Sequence, residues 1–297
     1  MEVIALLQDG HPQKKQGLVL ALGDFDGVHL GHRKLIEEGK TFAGERPFGV
    51  FLFENDPSLY LPNGKGKRFL SALEDKLFYL NRAGANLAYV AEVSESFFSL
   101  SPREFIEQYL IPLGVEAVAV GEDYRFGKGA QGTPELLKEY FDVHVTKLLF
   151  EGNEKIASRS IKALVEDGQI ETVNALLGHP YRVQGQVKEG LHNGRKIGFP
   201  TINVHSEFPY LLPKVGVYAG IVEIGGGTYH SIINVGSNPT IGVLDHPILE
   251  AHLKDFKENV YGEECRVSFL TYLRPEIKFA SLNELKDQLQ EDLKKLP

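Results

Sequence analysis

The chain has 297 residues, enough for two domains of ordinary size, with 42% hydrophobic and 24% charged residues and one cysteine. This composition excludes disordered, collagen-like and coiled-coil chains, and the lone Cys265 excludes an internal disulfide or a Cys-rich metal site, which fits a cytoplasmic globular protein. The formal net charge is −8, with 19 Lys and Arg against 26 Asp and Glu in residues 1–180 and 13 against 14 in residues 181–297. So acidic a body does not suit nucleic acid, and any phosphate ligand needs a local site.

At the N-terminus, MEVIALLQDG carries Glu2 where an export signal carries Lys or Arg, and no apolar run approaches the ~18 residues of a membrane span. Neither export nor membrane insertion is expected. From Leu18 to Leu177, short β-branched runs (LVLAL, FGVFLF, LAYVAEV, EAVAV, DVHVTKLL) alternate with helical stretches such as GHRKLIEEGKTFA and SALEDKLFYLNRAG. That alternation predicts βαβ units on a parallel sheet. Ser71 with Glu74 and Ser101 with Glu104 have capping-box spacing, Pro102 suits a first helical turn, and Gly84 and Gly178 suit helix ends. After Gly178 the pattern changes to alternating polar and apolar residues broken by Gly, Asn and Pro, which predicts an antiparallel β domain. Ser281 with Glu284 opens a closing helix whose stripe is Leu282, Leu285, Leu289 and Leu293. The break in pattern places the boundary near 178–182, giving domains 1–180 and 181–297.

Two constellations carry chemistry. In LVLALGDFDGVHLGHRKLI a buried-type strand passes through Gly23, Asp24, Phe25, Asp26 and Gly27 into a helix, with His29 and His32 at its start. Backbone N–H groups, a helix dipole and two imidazoles then converge where a phosphate would be stabilised during nucleotidyl transfer. In the β domain, GQVKEGLHNGRKIGFPTIN places Gly185, Gly190, Gly194 and Gly198 around Arg195, followed by Pro200, Thr201 and Asn203. The Thr hydroxyl and Asn carbonyl are oxygen ligands of the kind Mg²⁺ prefers, while the glycines alone equally suit two hairpin turns.

GDFDGVHLGH resembles the HxGH signature of the nucleotidyltransferase superfamily, in the form carried by bacterial bifunctional riboflavin kinase/FMN adenylyltransferases, and the resemblance extends over almost the whole chain. It implies a Rossmann-like nucleotidyltransferase domain followed by a β-barrel kinase domain with a closing helix. VGEDYRFGKGAQG is similar to the family's second nucleotide motif, so Asp123, Phe126 and Gly127 are expected to shape the nucleotide and flavin side. GFPTIN is similar to the riboflavin kinase signature Gly-Phe-Pro-Thr-Ala-Asn. NVGSNPTIG, LEAHLKDF, VYG and LRPEIKF follow in family order. The resemblance makes Glu250 the carboxylate that accepts the proton of the ribityl 5′-hydroxyl, with His29 and His32 catalytic in the other domain. Gly23, Phe25, Asp26, Gly27, Ser158, Arg159, Lys162, Gly190, Gly194, Arg195, Gly198 and Pro200 are expected around nucleotide phosphates. Asn234 and Arg274 are expected at the flavin, unless Arg274 pairs with Glu276, and Thr201 and Asn203 at Mg²⁺ bound with ATP.

Three segments depart from the family pattern. Phe-x-Pro-His-Pro reads Phe53, Glu54, Asn55, Asp56, Pro57. Ser-Ser-Thr-x-Ile-Arg reads Ala157, Ser158, Arg159, Ser160, Ile161, Lys162. Asn238 stands where the family usually has arginine. Lys162 keeps a charge without arginine's bidentate fork, so adenylyl transfer is expected to be the weaker activity. The readings to be separated are a bifunctional enzyme acting on riboflavin, FMN and ATP, a monofunctional riboflavin kinase with a degraded second module, and a flavin-binding regulator without turnover. None calls for nucleic acid, a membrane or an obligate protein partner.

Overall fold

The computed structural model describes residues 1–6, 14–54, 66–189, 199–236, 248–256 and 258–296. Contacts divide the chain into two units, Met1–Lys67 with Ser71–Ser158 and Arg68–Leu70 with Arg159–Pro297.

The first unit is built on a parallel sheet of six strands: β1 (Glu2–Leu6), β2 (Leu18–Leu22), β3 (Phe48–Phe53), β4 (Leu87–Ala91), β5 (Val115–Gly121) and β6 (Asp142–Thr146), in the order β1-β4-β3-β2-β5-β6. The short apolar runs become strands because their β-branched and aromatic side chains pack on both faces. LVLAL of β2 is buried at every position, with Leu18, Leu20 and Leu22 in one core cluster and Val19 and Ala21 in the other. The sequence pattern begins at Leu18, whereas the sheet also recruits β1, which pairs with β4. Helices α1 (Leu30–Ala43) and α2 (Leu73–Ala83) match the expected stretches, and Gly84 closes α2 in the left-handed conformation at φ +112°. Ser101 and Glu104 form the full capping box. Ser71 and Glu74 do not: Ala72 is the N-cap of α2 without a side-chain bond, and Ser71 serves Asp26 and Gly27 instead. A hairpin, β7 (Phe150–Glu151) and β8 (Glu154–Lys155), also belongs to this unit.

The second unit is a closed antiparallel barrel of β9 (Tyr181–Lys188), β10 (Ile202–His205), β11 (Gly216–Ile224), β12 (Gly227–Gly236), β13 (Ile248–Leu253) and β14 (Glu264–Arg274), ordered β10-β13-β12-β11-β14-β9. Tyr181, Val183, Tyr218, Ile233, Val267 and Phe269 are among its buried side chains. Gly220 is required where β11 meets its neighbours, because a Cβ there would lie 2.3 Å from both Ile233 Cδ1 and the Ser268 carbonyl oxygen.

Helices α3 (Ser158–Glu166) and α4 (Ile170–Leu177) precede the barrel in sequence. The division between units falls at Ser158/Arg159, earlier than the change in sequence pattern, because α4 is bonded into the barrel. Asn174 accepts from the Tyr181 N–H at 2.6 Å and donates to the Phe269 carbonyl at 2.9 Å. Phe69 joins the same unit by a parallel bridge to Tyr210, with its N–H on the Pro209 carbonyl at 3.0 Å. The closing helix α5 (Leu282–Leu293) is capped by Ser281, which accepts from the Glu284 N–H. It is tied to β14 by Asp292, fully buried, accepting from Arg274 Nε at 3.0 Å and Nη2 at 2.8 Å.

Candidate functional site

The loop after β2 is held in a conformation that side-chain-bearing residues rarely adopt. Phe25, Gly27 and Val28 have φ of +58°, +81° and +41°. The surroundings fix it. The Phe25 ring is fully buried, Asp26 Oδ1 accepts from the Ser71 N–H at 3.1 Å, Gly27 N–H donates to Ser71 Oγ at 2.7 Å, and Ser158 Oγ donates to the Asp26 carbonyl at 2.9 Å. Beside it, buried Lys76 pairs with Asp24 at 2.9 Å.

This bracing aims the start of α1. His29 is its N-cap, with Nδ1 accepting from the His32 N–H at 3.4 Å, so a neutral His29 carries its proton on Nε2. The two imidazoles stack at 3.7 Å and 16°, and the Phe25 ring stands edge-on to His32 at 5.3 Å. Burial, assisted by the charge of Lys155 and opposed by Asp123, pushes the His29 pKa down to about 4. Burial and then the neighbouring charges of His29, Lys76 and Lys155 keep His32 well below its ordinary value. At neutral pH both rings are therefore uncharged hydrogen-bonding groups. His32 Nδ1 is buried without a partner among the described residues.

Gly23, His29, His32, Asp123, Lys155 and Ser158 line one cleft of about 350 Å³ at the C-terminal ends of β2, β5 and β6, the edge where parallel sheets bind ligands. Lys155, on β8, pairs with Asp123 and brings a cation to the histidines. Sequence reading missed it, because in isolation EGNEKIAS is an unremarkable polar stretch and only the hairpin folds it over the cleft. Phe25, Asp26 and Gly27 brace the loop from behind. Phe126 is buried against Phe105 and Tyr124. Gly127 is a conformational requirement, with φ +69° and the Pro102 nitrogen 2.7 Å from where its Cβ would be. Arg159 is exposed at the start of α3, and Lys162 places its ammonium 5.0 Å over the Phe69 ring in the second unit.

On the barrel, pairing brings together three residues far apart in sequence. Glu250 of β13 stands opposite Asn203 of β10 on one side and Asn234 of β12 on the other. Directly paired residues share a face, so these three half-buried polar side chains form a row flanked by buried Val204, Leu249 and Val235. Asn234 Nδ2 donates to Glu276 Oε1 at 3.4 Å. Burial and the charge of Glu276 raise the pKa of Glu250 above the ordinary carboxylate value, which suits a base that must take and release a proton. Pro200 and Thr201 line a cavity of about 370 Å³ with Leu253, Phe256, Val260 and Tyr261, and His252 Nδ1 donates to the Pro200 carbonyl at 2.8 Å. Arg274 pairs with Asp292 of α5 rather than with Glu276. Gly190, Gly194, Arg195 and Gly198, and the departures at Asn55, Asp56 and Asn238, lie outside the described residues.

Among the described residues no three His, Cys, Asp or Glu side chains are grouped to hold a metal. The donors present, the Thr201 hydroxyl and the Asn203 amide oxygen, are hard oxygens, and Mg²⁺ typically takes one or two such protein groups and completes its shell with substrate phosphates and water. The residues fit that mode of binding.

Comparison with known proteins matches the two regions separately. The FAD synthetase family model covers residues 11–160 and the riboflavin kinase model residues 177–296. The bifunctional riboflavin kinase/FMN adenylyltransferase of Listeria monocytogenes is 37% identical over 92% of this chain and 90% of its own length. That of Bacillus subtilis is 38% identical over the same shares, and that of Escherichia coli is 35% identical over 98% and 96%. A solved Streptococcus pneumoniae structure described as a macrolide-efflux protein superposes with a TM-score of 0.88 at 30% identity, covering 99% of this chain and 98% of that one. Among the described residues no helix is long and apolar enough to cross a membrane. With both models matched in order and full-length relatives above 30% identity, the chain belongs to the bifunctional riboflavin kinase/FMN adenylyltransferase family.

Proposed function

We propose that the chain converts riboflavin and ATP to FMN and ADP on the barrel, and FMN and ATP to FAD and pyrophosphate in the cleft of the first unit. The observation that carries the kinase reading is the row Asn203–Glu250–Asn234, which sets a carboxylate of raised proton affinity between two amide side chains, with Asn203 two residues along the chain from Thr201. Glu250 accepts the proton of the ribityl 5′-hydroxyl as that oxygen attacks the γ-phosphorus, and the bond to ADP breaks. Thr201 and Asn203 would hold Mg²⁺, which when bound with ATP supplies charge neutralisation at the phosphates.

In the cleft, neutral His29 and His32 donate hydrogen bonds to charge developing on the α-phosphate while an FMN phosphate oxygen attacks it and pyrophosphate leaves. Lys155 supplies positive charge beside the histidines in a cleft that Arg125 and Lys147 also line, and Ser158 adds a hydroxyl at the start of α3. Product chromatography after incubation with riboflavin, ATP and Mg²⁺ tests both halves. FMN with FAD is expected. FMN alone would select the monofunctional reading, and neither product a binding protein.

A further inference from the structure

The cleft has a second wall, formed by the ends of β5 and β6. Thr146, the last residue of β6, pairs in register with Gly121 of β5, and both line the cleft with Lys147. As the sheet's edge, β6 is hydrogen-bonded on one side only, so its place relative to α1 depends on side chains.

Three side chains of α1 make that connection, with Glu38 at their centre. Glu38 of α1 accepts at a single oxygen, Oε2, from Thr146 Oγ1 at 2.8 Å and from His144 Nε2 at 3.0 Å. One helical turn earlier Lys34 stands 3.8 Å from Glu38 Oε1 and donates to the Lys147 carbonyl at 3.4 Å. One turn later the Phe42 ring lies 5.5 Å from that of His144. Lys34, Glu38 and Phe42 are spaced i, i+4, i+8 and so share the helix face that meets β6. Burial works to raise the Glu38 pKa, but the bonds from His144 and Thr146 and the charge of Lys34 outweigh it and keep the group ionised. Glu38 does not itself line the cleft.

We propose that Glu38 is a positioning residue for adenylyl transfer: by holding Thr146 and His144 it sets the opening between the histidine-bearing start of α1 and the Thr146–Lys147 wall, and thereby the fit of the ATP polyphosphate. The proposal rests on the adenylyltransferase reading of the cleft. It assigns Glu38 to nucleotide fit rather than chemistry, since Thr146 and the histidines touch the cleft and Glu38 reaches it only through neighbours, directly by Thr146 and by way of Lys34 at the Lys147 carbonyl.

The test is a double-mutant cycle in the full-length chain. Glu38→Gln and Thr146→Val should each raise KM for ATP in FAD formation on the order of tenfold while kcat falls less than threefold. Thr146→Ser, which keeps the hydroxyl, should stay near wild type. Glu38→Gln combined with Thr146→Val should fall clearly short of the sum of the two single effects. FMN formation by the barrel is the control for folding and should not change. Additive effects, an unchanged KM, or a parallel loss of both activities would overturn the proposal. If the unmodified chain forms no FAD, the adenylyltransferase reading fails separately, and Glu38 is judged by ATP protection of cleft peptides against 8-azido-ATP labelling. A shifted half-protecting ATP concentration in Glu38→Gln then supports the positioning role, and an unshifted one rejects it.

Discussion

Removing the Asn174 side chain tests whether the helices before the barrel belong to its folding unit. Its amide occupies the end of the β9–β14 ladder, where Tyr181 is paired with Phe269, accepting from the Tyr181 N–H at 2.6 Å and donating to the Phe269 carbonyl at 2.9 Å. In Asn174→Ala a backbone donor and a backbone acceptor lose their partners together, and leaving each unsatisfied costs about 1–3 kcal/mol. A net loss of about 2–4 kcal/mol follows, which in a unit of this size lowers Tm by roughly 5–15 °C. Asn174→Asp keeps the acceptor but sets a carboxylate oxygen against the Phe269 carbonyl, so it should also destabilise at neutral pH and recover in part as the acid is protonated and can donate. Urea titration followed by far-UV circular dichroism should show a lower midpoint at unchanged slope. The same bonding predicts that a fragment beginning at Arg159 is more stable than one beginning at Tyr181, which lacks α3 and α4 altogether. A variant within ~0.5 kcal/mol of wild type, or two fragments of equal stability, would refute the assignment of α4 to the barrel.

Glu250→Gln should lower FMN formation by ~10²–10⁴-fold with flavin binding, read by fluorescence quenching, intact. A rate within twofold of wild type would remove Glu250 from the mechanism. For His29 the folded pKa of about 4 lies below the 6.5 of an unfolded histidine, so as pH falls through that window the unfolded chain takes up a proton that the folded one refuses. About 3 kcal/mol of stability is then lost between pH 6.5 and 4, His32 adds to the loss in the same direction, and His29→Asn should flatten this acid limb in denaturation experiments. Arg274→Ala leaves the buried Asp292 carboxylate without its cation and should cost about 3–5 kcal/mol. Arg274→Met combined with Asp292→Leu should regain most of that loss. A raised KM for riboflavin in this stabilised pair would show that Arg274 serves the flavin after all.

Local signals in the sequence reach surprisingly different depths in the two units. The strand–helix alternation, the left-handed glycines at 84 and 178 and the histidine turn are legible because each depends on residues within a few positions of one another. The period of apolar residues sets strand or helix, and a φ that only glycine tolerates sets the turn. GFPTIN and the HxGH segment likewise point to phosphate chemistry through the residues they contain. What stayed out of reach depends on partners far along the chain. Ser71 has a capping sequence, but its hydroxyl and N–H go to the loop 45 residues earlier, because a buried carboxylate at Asp26 must be satisfied before an exposed helix end that water can serve. Arg274 offered two local readings, and Asp292, on a helix 18 residues away, took the guanidinium. Lys155 entered the cleft only when β7 and β8 folded back. Asn203, Glu250 and Asn234 became one row only when three strands paired in a particular register, and a slip of one residue would turn each to the other face. Sequence alone determined the elements and the chemistry they carry, since backbone propensity and side-chain reactivity are local. The tertiary structure alone decided which groups meet, because a desolvated charge or donor is satisfied by whichever partner packing brings to it.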